Sequence, residues 1–300
     1  FTLPHELHPL IRANEKVCYN LLFQAASQTL VELGKDKKYL HAQVGLMAVL
    51  HTWGQNLMYH PHLHCLVPAG GLSFNGKKWV KSRRKFFLPI KVVSRLFRGK
   101  FLALLKKAFK RGKLKLLGKL KHIEDIKTLN DYLRPIYRKE WVVFAKPPFG
   151  GPEQVINYLG RYTHRVAISN ERILKLENDR VSFGYKDYKE GAKKKVMTLD
   201  AQEFIRRFLL HILPRGFHKI RYYGLLATRN RKTRLPQARK AVGQTPFQPS
   251  VKLHWYELLQ KITGIDPLLC PKCKKGRMNH KQLLLPQLRA PPTAQLSLNF

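Results

Sequence analysis

The spacing of apolar residues changes several times along the chain, and each change predicts an element. Over residues 14–33 the apolar side chains recur at helical intervals, with an asparagine at the start and Gly34 at the usual C-terminal position. Residues 39–53 and 62–67 have the composition of strands and predict a hairpin. Residues 1–10 are predicted to be extended, as the first strand of the same sheet.

Shorter patterns extend this scheme to most of the chain. Residues 72–80 contain Asn75-Gly76 and predict a tight hairpin, and residues 81–135 are dense in Lys, Arg, Leu and Phe, which indicates basic amphipathic helices. Further strands are predicted at 141–145, 166–169, 173–176, 181–185, 195–199 and 219–223, and helices at 152–163, 200–213 and 254–262. The sum is an α+β fold, an antiparallel sheet with helices packed on it and a basic helical insertion.

Composition narrows the class of partner. The 300 residues contain 57 Lys and Arg against 18 Asp and Glu, and the formal net charge of +39 is spread along the chain. Nucleic acid and a membrane surface are the polyanions that such a protein attracts. No stretch approaches the ~18 consecutive apolar residues of a membrane-spanning helix. Four cysteines do not make a disulfide framework, so a cytoplasmic, reducing setting is expected.

Three histidines of the predicted hairpin form a candidate metal site. Side chains alternate along a strand, so His62 and His64 share one face while Leu63 points to the other, where it can enter a core. A turn near Asn56 would place His51 opposite His62. Three imidazoles on one sheet face can hold a divalent metal and leave open positions for substrate oxygens.

The second candidate constellation lies in the predicted helix 152–163. Tyr158 and Tyr162 are four residues apart, so they lie one above the other at the edge of an apolar stripe. Such a pair is usually only amphipathic packing, but beside a histidine cluster in a very basic chain it becomes a candidate pair of nucleophiles. Gln154, one turn earlier, is the alternative to His51 as third metal ligand.

Cations near these two constellations are candidates for DNA contacts. Arg161 and Arg165 flank the tyrosines, and Lys106 and Lys107 belong to the basic helical block. A basic helical face is often merely solvated, and it can also touch a membrane. With a candidate metal site and a candidate pair of nucleophiles on either side in sequence, a clamp on a nucleic-acid backbone is the favoured interpretation.

Two stretches together resemble a known family. HPHLHCLVPAGG at 60–71 and YLGRYTHRVAISN at 158–170 look like the two-tyrosine HUH transposases of bacterial rolling-circle insertion sequences, in which HUH denotes His, a bulky apolar residue, His. The resemblance implies the HUH endonuclease fold with its RRM-like or ferredoxin-like sheet. It implies Mg²⁺ or Mn²⁺ as cofactor, single-stranded DNA at transposon ends and target as partner, and Tyr158 and Tyr162 as nucleophiles forming a 5′-phosphotyrosine. His51 is similar in position to the third ligand of related HUH relaxases.

The resemblance also sets an expected domain organisation. Residues 1–228 are expected to form the nuclease domain, with 81–135 as its basic helical insertion. Relatives usually carry a zinc-binding module upstream, so a chain that begins at Phe1 is expected to be a fragment without it. Residues 229–300 form a basic, Pro-containing C-terminal region, and its last twenty residues are expected to be disordered.

Cys270-Pro271-Lys272-Cys273 in this C-terminal region resembles one knuckle of a zinc ribbon. A structural zinc site needs four ligands, and no second CxxC follows, although His280 is a candidate. A redox role for Cys270 and Cys273 is less favoured because no thioredoxin-like βαβ pattern surrounds them.

Two alternatives to a transposase stay open at this point. A relaxase or replication initiator would use the same chemistry in another biological setting. A non-catalytic single-stranded nucleic-acid-binding protein with an RRM-like sheet would keep all its function when Tyr158 and Tyr162 are replaced by Phe. The motifs of zinc deaminases and of 2H phosphodiesterases do not occur in the required form. The sequence does not indicate the oligomeric state.

Overall fold

The computed structural model describes residues 1–82, 88–146, 151, 153–155, 160, 167–244 and 253–278. The chain divides into a larger unit, Phe1–Pro246, and a smaller one, Phe247–Phe300. Helices of the larger unit are α1 (His8–Ala13), α2 (Glu15–Lys35), α3 (Ile90–Lys110), α4 (Ile126–Arg138), α5 (Ala201–Leu209) and α6 (Arg234–Ala241). Its strands are β1 (Gly45–Trp53), β2 (Tyr59–Leu66), β3 (Gly70–Leu72), β4 (Trp79–Lys81), β5 (Ile173–Glu177), β6 (Arg180–Asp187), β7 (Lys193–Asp200) and β8 (Ile220–Gly224).

The central sheet has the order β2-β1-β8, and all its pairs are antiparallel. The predicted hairpin forms, with a turn closed by the Gly54 N–H donating to the Met58 carbonyl at 2.9 Å. Residues 1–3 lie along the free edge of β2, where Leu63 N–H donates to the Phe1 carbonyl at 2.9 Å. The larger unit is therefore a mixed α+β fold built on antiparallel sheets, as predicted.

One face of the central sheet and the helices packed on it form the main core. Leu46, Leu50 and Leu63 point from β1 and β2 into this core, where they join Leu22 and Phe23 of α2. This alternation is the one that the apolar and polar positions of the two strands predict. The histidines of β1 and β2 consequently lie on the opposite face.

The predicted basic helical insertion is confirmed as α3 and α4. Phe97 and Phe101 of α3 are fully buried in the same core, and Lys100 pairs with Glu32 of α2 at 2.6 Å. Helix α4 starts with a capping box in which the Asp125 carboxylate accepts from the Thr128 N–H at 2.8 Å. The insertion therefore packs on the body of the fold through apolar side chains and exposes its Lys and Arg.

A second antiparallel sheet, β5-β6-β7, accounts for three of the predicted later strands, and β3-β4 forms the predicted small hairpin. Phe183 of β6 is buried in a separate small core together with Leu57 of the β1-β2 turn. The turn between β1 and β2 is thus held by contacts from a distant part of the chain. In another small core, helix α6 packs through Ala238 against Leu72 and Leu225.

Four local predictions are wrong. Residues 5–13 are helical, not extended, because Leu7, Leu10 and Ile11 are all buried on one side of a helix. Residues 141–145 form no strand: Trp141 is buried, but Val142 and Phe144 are 64% and 75% exposed. Residues 167–169, the described part of a further predicted strand, are also not a strand.

The fourth correction concerns the ends of two helices. Gly34 lies inside α2, which runs to Lys35. The Val44 side chain packs so closely here that a Cβ at Gly34 would come within 2.6 Å of it. The glycine is needed for close packing and not for a left-handed helix end. Helix α5 ends at Leu209, four residues before the predicted end at Leu213.

The smaller unit, in its described part, contains helix α7 (Trp255–Thr263), which confirms the predicted helix 254–262, and a short hairpin over residues 269–277. Gly264 ends the helix in the left-handed conformation with φ 73°. The last twenty residues, predicted to be disordered, lie outside the described residues.

Candidate metal centre

The antiparallel register of β1 and β2 brings three imidazoles together. His51 pairs directly with His62, and Val49 pairs with His64, so His51 stands beside both histidines of the HxH motif. One ring nitrogen from each of the three residues lies within 4.8 Å of the other two. His51 is 4% exposed, whereas His62 and His64 are half-buried. Among the described residues, this is the cluster whose side chains are arranged to hold a metal ion.

The geometry of the HxH pair suits two ligands of one ion. His62 Nε2 and His64 Nε2 are 3.1 Å apart. Two nitrogens that each lie about 2.1 Å from a metal and subtend about a right angle are separated by roughly 3 Å. Three nitrogen ligands on one side of an ion would leave further positions open, as they do in known catalytic metal centres.

Backbone and side-chain contacts orient the rings. His62 Nδ1 lies 2.6 Å from the His60 carbonyl oxygen, so Nδ1 carries the proton and donates, and Nε2 keeps its lone pair for a ligand. The indole of Trp53 stacks on the His51 ring with centroids 4.5 Å apart and an interplanar angle of 15°. His60, interpreted from the sequence as a bystander, thus contributes through its main chain.

The environment of the cluster keeps His62 and His64 neutral. The pKa of His64 is lowered to about 3, chiefly by burial, with further contributions to that value from His51, the N-terminal amino group and Lys146. Burial and the neighbouring His64 also hold the pKa of His62 well below its usual value. Neutral imidazole is the form that binds metal. The effect of Lys146 places a positive charge within electrostatic range of the cluster.

His211 contacts the β1-β2 hairpin through hydrogen bonds, and no sequence pattern predicts this contact. Its Nε2 donates to the Leu57 carbonyl at 3.0 Å and its Nδ1 lies 3.3 Å from the Thr52 hydroxyl. Its ring is also 5.9 Å from Trp53, centroid to centroid. Because His211 is separated by more than 150 residues from the hairpin, only the tertiary structure identifies this contact.

The other residues predicted for the site are not part of the histidine cluster in the described structure. Tyr158, Tyr162, Arg161 and Arg165 lie outside the described residues. Gln154, the alternative third ligand, is exposed in the helical segment 153–155, whereas His51 is the residue that stands in the cluster. Lys106 and Lys107 follow one another on α3, where Lys106 lines a groove between α3 and α4 and Lys107 is exposed.

Cys270 and Cys273 lie in the hairpin of the smaller unit. The Gly276 N–H donates to Cys273 Sγ at 3.3 Å, and the Cys270 N–H donates to the Gly276 carbonyl at 2.7 Å. Backbone N–H groups of Gly276 and Lys275 lower the pKa of the Cys273 thiol. The main chain is therefore wrapped around the sulfur and favours its thiolate.

Comparison with known proteins places the histidine hairpin in a family. A family model described as "Putative transposase" (Y2_Tnp) matches residues 45–234, a range that includes all three histidines and both tyrosines. The chain belongs to this transposase family. Among its relatives, the "Putative transposase y4qJ" of Sinorhizobium fredii (strain NBRC 101917 / NGR234) is 48% identical over 281 residues, 93% of this chain and 71% of that protein.

A more distant relative belongs to a named insertion sequence. The "Transposase for insertion sequence element IS801" of Pseudomonas savastanoi pv. phaseolicola is 28% identical over 277 residues, which cover 91% of this chain and 64% of that protein. The chain therefore spans about two thirds of the length of these transposases. No solved structure matches the chain. Among the described helices, none is both long and apolar enough to cross a bilayer.

Proposed function

We propose that this transposase cleaves single-stranded DNA and rejoins it through a covalent phosphotyrosine, with a divalent metal held by His51, His62 and His64. The observation that carries the proposal is the cluster of three imidazoles on the β1-β2 hairpin, in a chain whose family is that of transposases. Family membership favours a transposase over a relaxase or a replication initiator, which would share the chemistry.

The donor set fits a divalent cation that must also bind phosphate. Three neutral nitrogens add no negative charge, so the ion keeps its full positive charge toward an anionic substrate. When bound, Mg²⁺ or Mn²⁺ would withdraw charge from the scissile phosphodiester and orient its oxygens. The register of the hairpin, the carbonyl of His60 and the stacked ring of Trp53 hold the ligands in place before metal or DNA arrives.

Tyr158 and Tyr162 are the proposed nucleophiles. The phenolate oxygen of one attacks phosphorus, a new O–P bond forms, and the bond to the 3′ oxygen breaks, so that a 3′ hydroxyl leaves and the 5′ phosphate stays on the enzyme. The phosphotyrosine preserves one phosphodiester for rejoining, and no nucleotide cofactor is required. A second tyrosine allows the enzyme to cut another strand while the first end is still attached.

The cations of the chain supply the affinity for DNA. Residues 81–135 contain 18 Lys and Arg against 3 Asp and Glu, and the described basic side chains of α3 and α4 lie mostly at the surface. Phosphate neutralisation by such residues is strongly salt-dependent and carries no base specificity. We propose that Lys106, Lys107, Arg161 and Arg165 contribute to this contact, together with Lys146 near the histidines.

We also propose that Cys270 and Cys273 bind Zn²⁺ in the smaller unit. The N–H of Gly276 that donates to Cys273 Sγ is the kind of contact that stabilises a metal-bound thiolate. Two thiolates satisfy half of a structural zinc site, and His280 is a candidate for one of the two remaining positions. Cobalt substitution tests it: the wild type is expected to show thiolate-to-cobalt charge-transfer absorption, and Cys273→Ser is expected to lose it.

Covalent adduct formation tests the main proposal. The protein is incubated with labelled single-stranded DNA from the ends of its element, with Mg²⁺, Mn²⁺ or EDTA, and adducts are separated by denaturing electrophoresis. We expect an adduct that requires the metal and disappears when Tyr158 and Tyr162 are both changed to Phe. Tyr188→Phe, at an exposed tyrosine elsewhere, is the matched control and is expected to leave the adduct intact.

A second pair of variants tests the proposed metal ligands. His62→Ala removes a clustered imidazole, and His60→Ala removes an imidazole two residues away that is outside the cluster. Calorimetric titration with Mn²⁺ is expected to show binding in the wild type and His60→Ala, and much weaker binding in His62→Ala. An adduct that survives the double tyrosine variant would refute the nucleophile assignment. DNA binding without any adduct would favour the non-catalytic single-strand binder.

A further inference from the structure

A groove of about 480 Å³ between α3 and α4 lies outside the histidine site. Its lining includes Gly99, Ala103 and Lys106 of α3 and Asn130, Arg134 and Tyr137 of α4. Its volume lies within the range of roughly 300–1,000 Å³ that is usual for sites binding small organic groups. Among the described residues that line the groove, none is acidic.

The groove exists because α3 presents small residues where α4 crosses it. Gly99 and Ala103 are four positions apart and therefore share one face of the helix. A Cβ built on Gly99 meets no atom within 4 Å, so the space above this glycine is open. The floor is consequently flat and partly apolar, which suits a planar ring.

Tyr137 provides an aromatic wall at one end of this floor. Its side chain is 54% exposed, although the guanidinium of Arg98 lies over its ring at 4.7 Å from the centroid. A guanidinium covers one face of a phenol ring, so the other face stays available for stacking. Exposed aromatic side chains are common stacking surfaces for unpaired bases.

Polar groups around the floor could bind the phosphates of a nucleotide and the hydrogen-bonding groups of its base. Lys106 and Arg134 place positive charge on opposite walls, and Arg134 also pairs with Asp131 at 2.5 Å, which orients it. The Asn130 Oδ1 is buried and makes no hydrogen bond to any described residue, so the carboxamide has unused hydrogen-bonding capacity. The lining therefore combines a stacking surface, an amide and two cations.

We infer that the α3–α4 groove binds one unpaired nucleotide of the single-stranded DNA substrate, with the base stacked on Tyr137 and the adjacent phosphates near Lys106 and Arg134. This inference rests on the proposed function, because it assigns a subsite to the same substrate. A duplex keeps its base faces stacked on one another, so the groove selects single strands. The basic insertion then contributes recognition of strand state in addition to charge.

Equilibrium binding without divalent metal tests the subsite separately from catalysis. A fluorescein-labelled oligothymidylate is titrated with protein and followed by anisotropy. Tyr137→Ala is expected to weaken binding by about 5- to 150-fold, the usual loss for one stacked base. Tyr137→Phe keeps the ring and is expected to bind like the wild type. Gly99→Leu, which fills the open floor, is expected to weaken binding as Tyr137→Ala does.

Two adjacent lysines provide the matched electrostatic control. Lys106→Ala and Lys107→Ala remove one charge each from the same helical turn, but only Lys106 is among the groove-lining residues. Lys106→Ala is expected to lose more affinity and to reduce the salt slope by about 0.7, one single-strand phosphate contact. An oligonucleotide that carries 5-iododeoxyuridine is expected to cross-link to Tyr137 under ultraviolet light, as mapped by mass spectrometry.

The outcomes are distinct. Wild-type affinity in Tyr137→Ala and Gly99→Leu, with equal losses in Lys106→Ala and Lys107→Ala, would leave only a diffuse basic surface and overturn the subsite. Because these titrations contain no metal and involve neither tyrosine nucleophile, failure of the subsite does not affect covalent adduct formation. Absence of any adduct with the wild-type protein in the earlier assay, with DNA binding by the groove variants still impaired, would refute the catalytic proposal alone.

Discussion

Leu63, the residue between the two histidines of the HxH motif, is predicted to stabilise the fold without contacting the metal. It points away from the histidines, is 3% exposed and belongs to the main core, where its strand partner is Leu50. Leu63→Ala removes three carbon atoms and leaves a cavity in the core beneath β2. Leu-to-Ala changes at such sites cost about 2–5 kcal/mol of unfolding free energy. The burial of Leu63 places it near 3 kcal/mol.

The assay is urea unfolding followed by tryptophan fluorescence, with Mn²⁺ titration of the folded protein. Leu63→Ala is expected to lower the unfolding free energy by about 3 kcal/mol. Leu63→Met, which roughly conserves volume, is expected to cost less than about 1.5 kcal/mol. Folded Leu63→Ala is expected to retain Mn²⁺ binding, whereas His62→Ala is expected to lose metal and remain stable.

A destabilisation below about 1 kcal/mol for Leu63→Ala would refute the reasoning, since only an exposed or collapsible site has so small an effect. Loss of metal binding in the folded Leu63→Ala protein would show that the two faces of β2 are not independent. In that case the apolar residue of the motif would position the ligands directly.

Three further predictions concern pH and glycines. Burial, together with the charges of His60 and His5, lowers the pKa of His8 to about 4. The unfolded chain therefore binds a proton near pH 6.5 and the folded chain does not, so stability falls by up to about 3 kcal/mol as the pH drops from 7 to 4. Urea unfolding at both pH values is expected to show a smaller drop for His8→Phe, and an equal drop would contradict the assignment. Gly99→Ala is expected to raise the unfolding free energy by about 0.5–1 kcal/mol, because the site is helical and open. A decrease in thermal stability would show that the groove is not open. Gly224→Ala is expected to destabilise by about 1–3 kcal/mol, because φ is 59° and its Cβ would lie 2.2 Å from the Val44 carbonyl oxygen. A wild-type melting temperature would argue against that close approach.

The elements that depend on local pattern were predictable from the sequence. The β1-β2 hairpin, the basic helices α3 and α4, and the strands β5, β6 and β7 follow from periodicity and turn residues within a few positions of each element. The pairing of His51 with His62 was also predictable, since in a two-strand hairpin the turn position sets the register. Because side chains alternate between the two faces of a strand, the sequence then placed Leu63 in the core and the histidines on the opposite face.

Predictions failed where a long-range contact outweighs the local pattern. Residues 5–13 are helical because Leu7, Leu10 and Ile11 find a core surface, and Gly34 stays inside α2 because Val44 packs against it. Propensity carries no information about such partners.

Tertiary structure alone decided what surrounds the histidines and where the groove between α3 and α4 lies. His211 reaches the β1-β2 turn across more than 150 residues, and the groove of Gly99 and Tyr137 exists only where α3 and α4 pack together. The sequence by itself determined which strand face the three histidines share, because strand geometry repeats every two residues. The pairing of distant segments depends on the packing of the whole unit, and only the folded chain shows it.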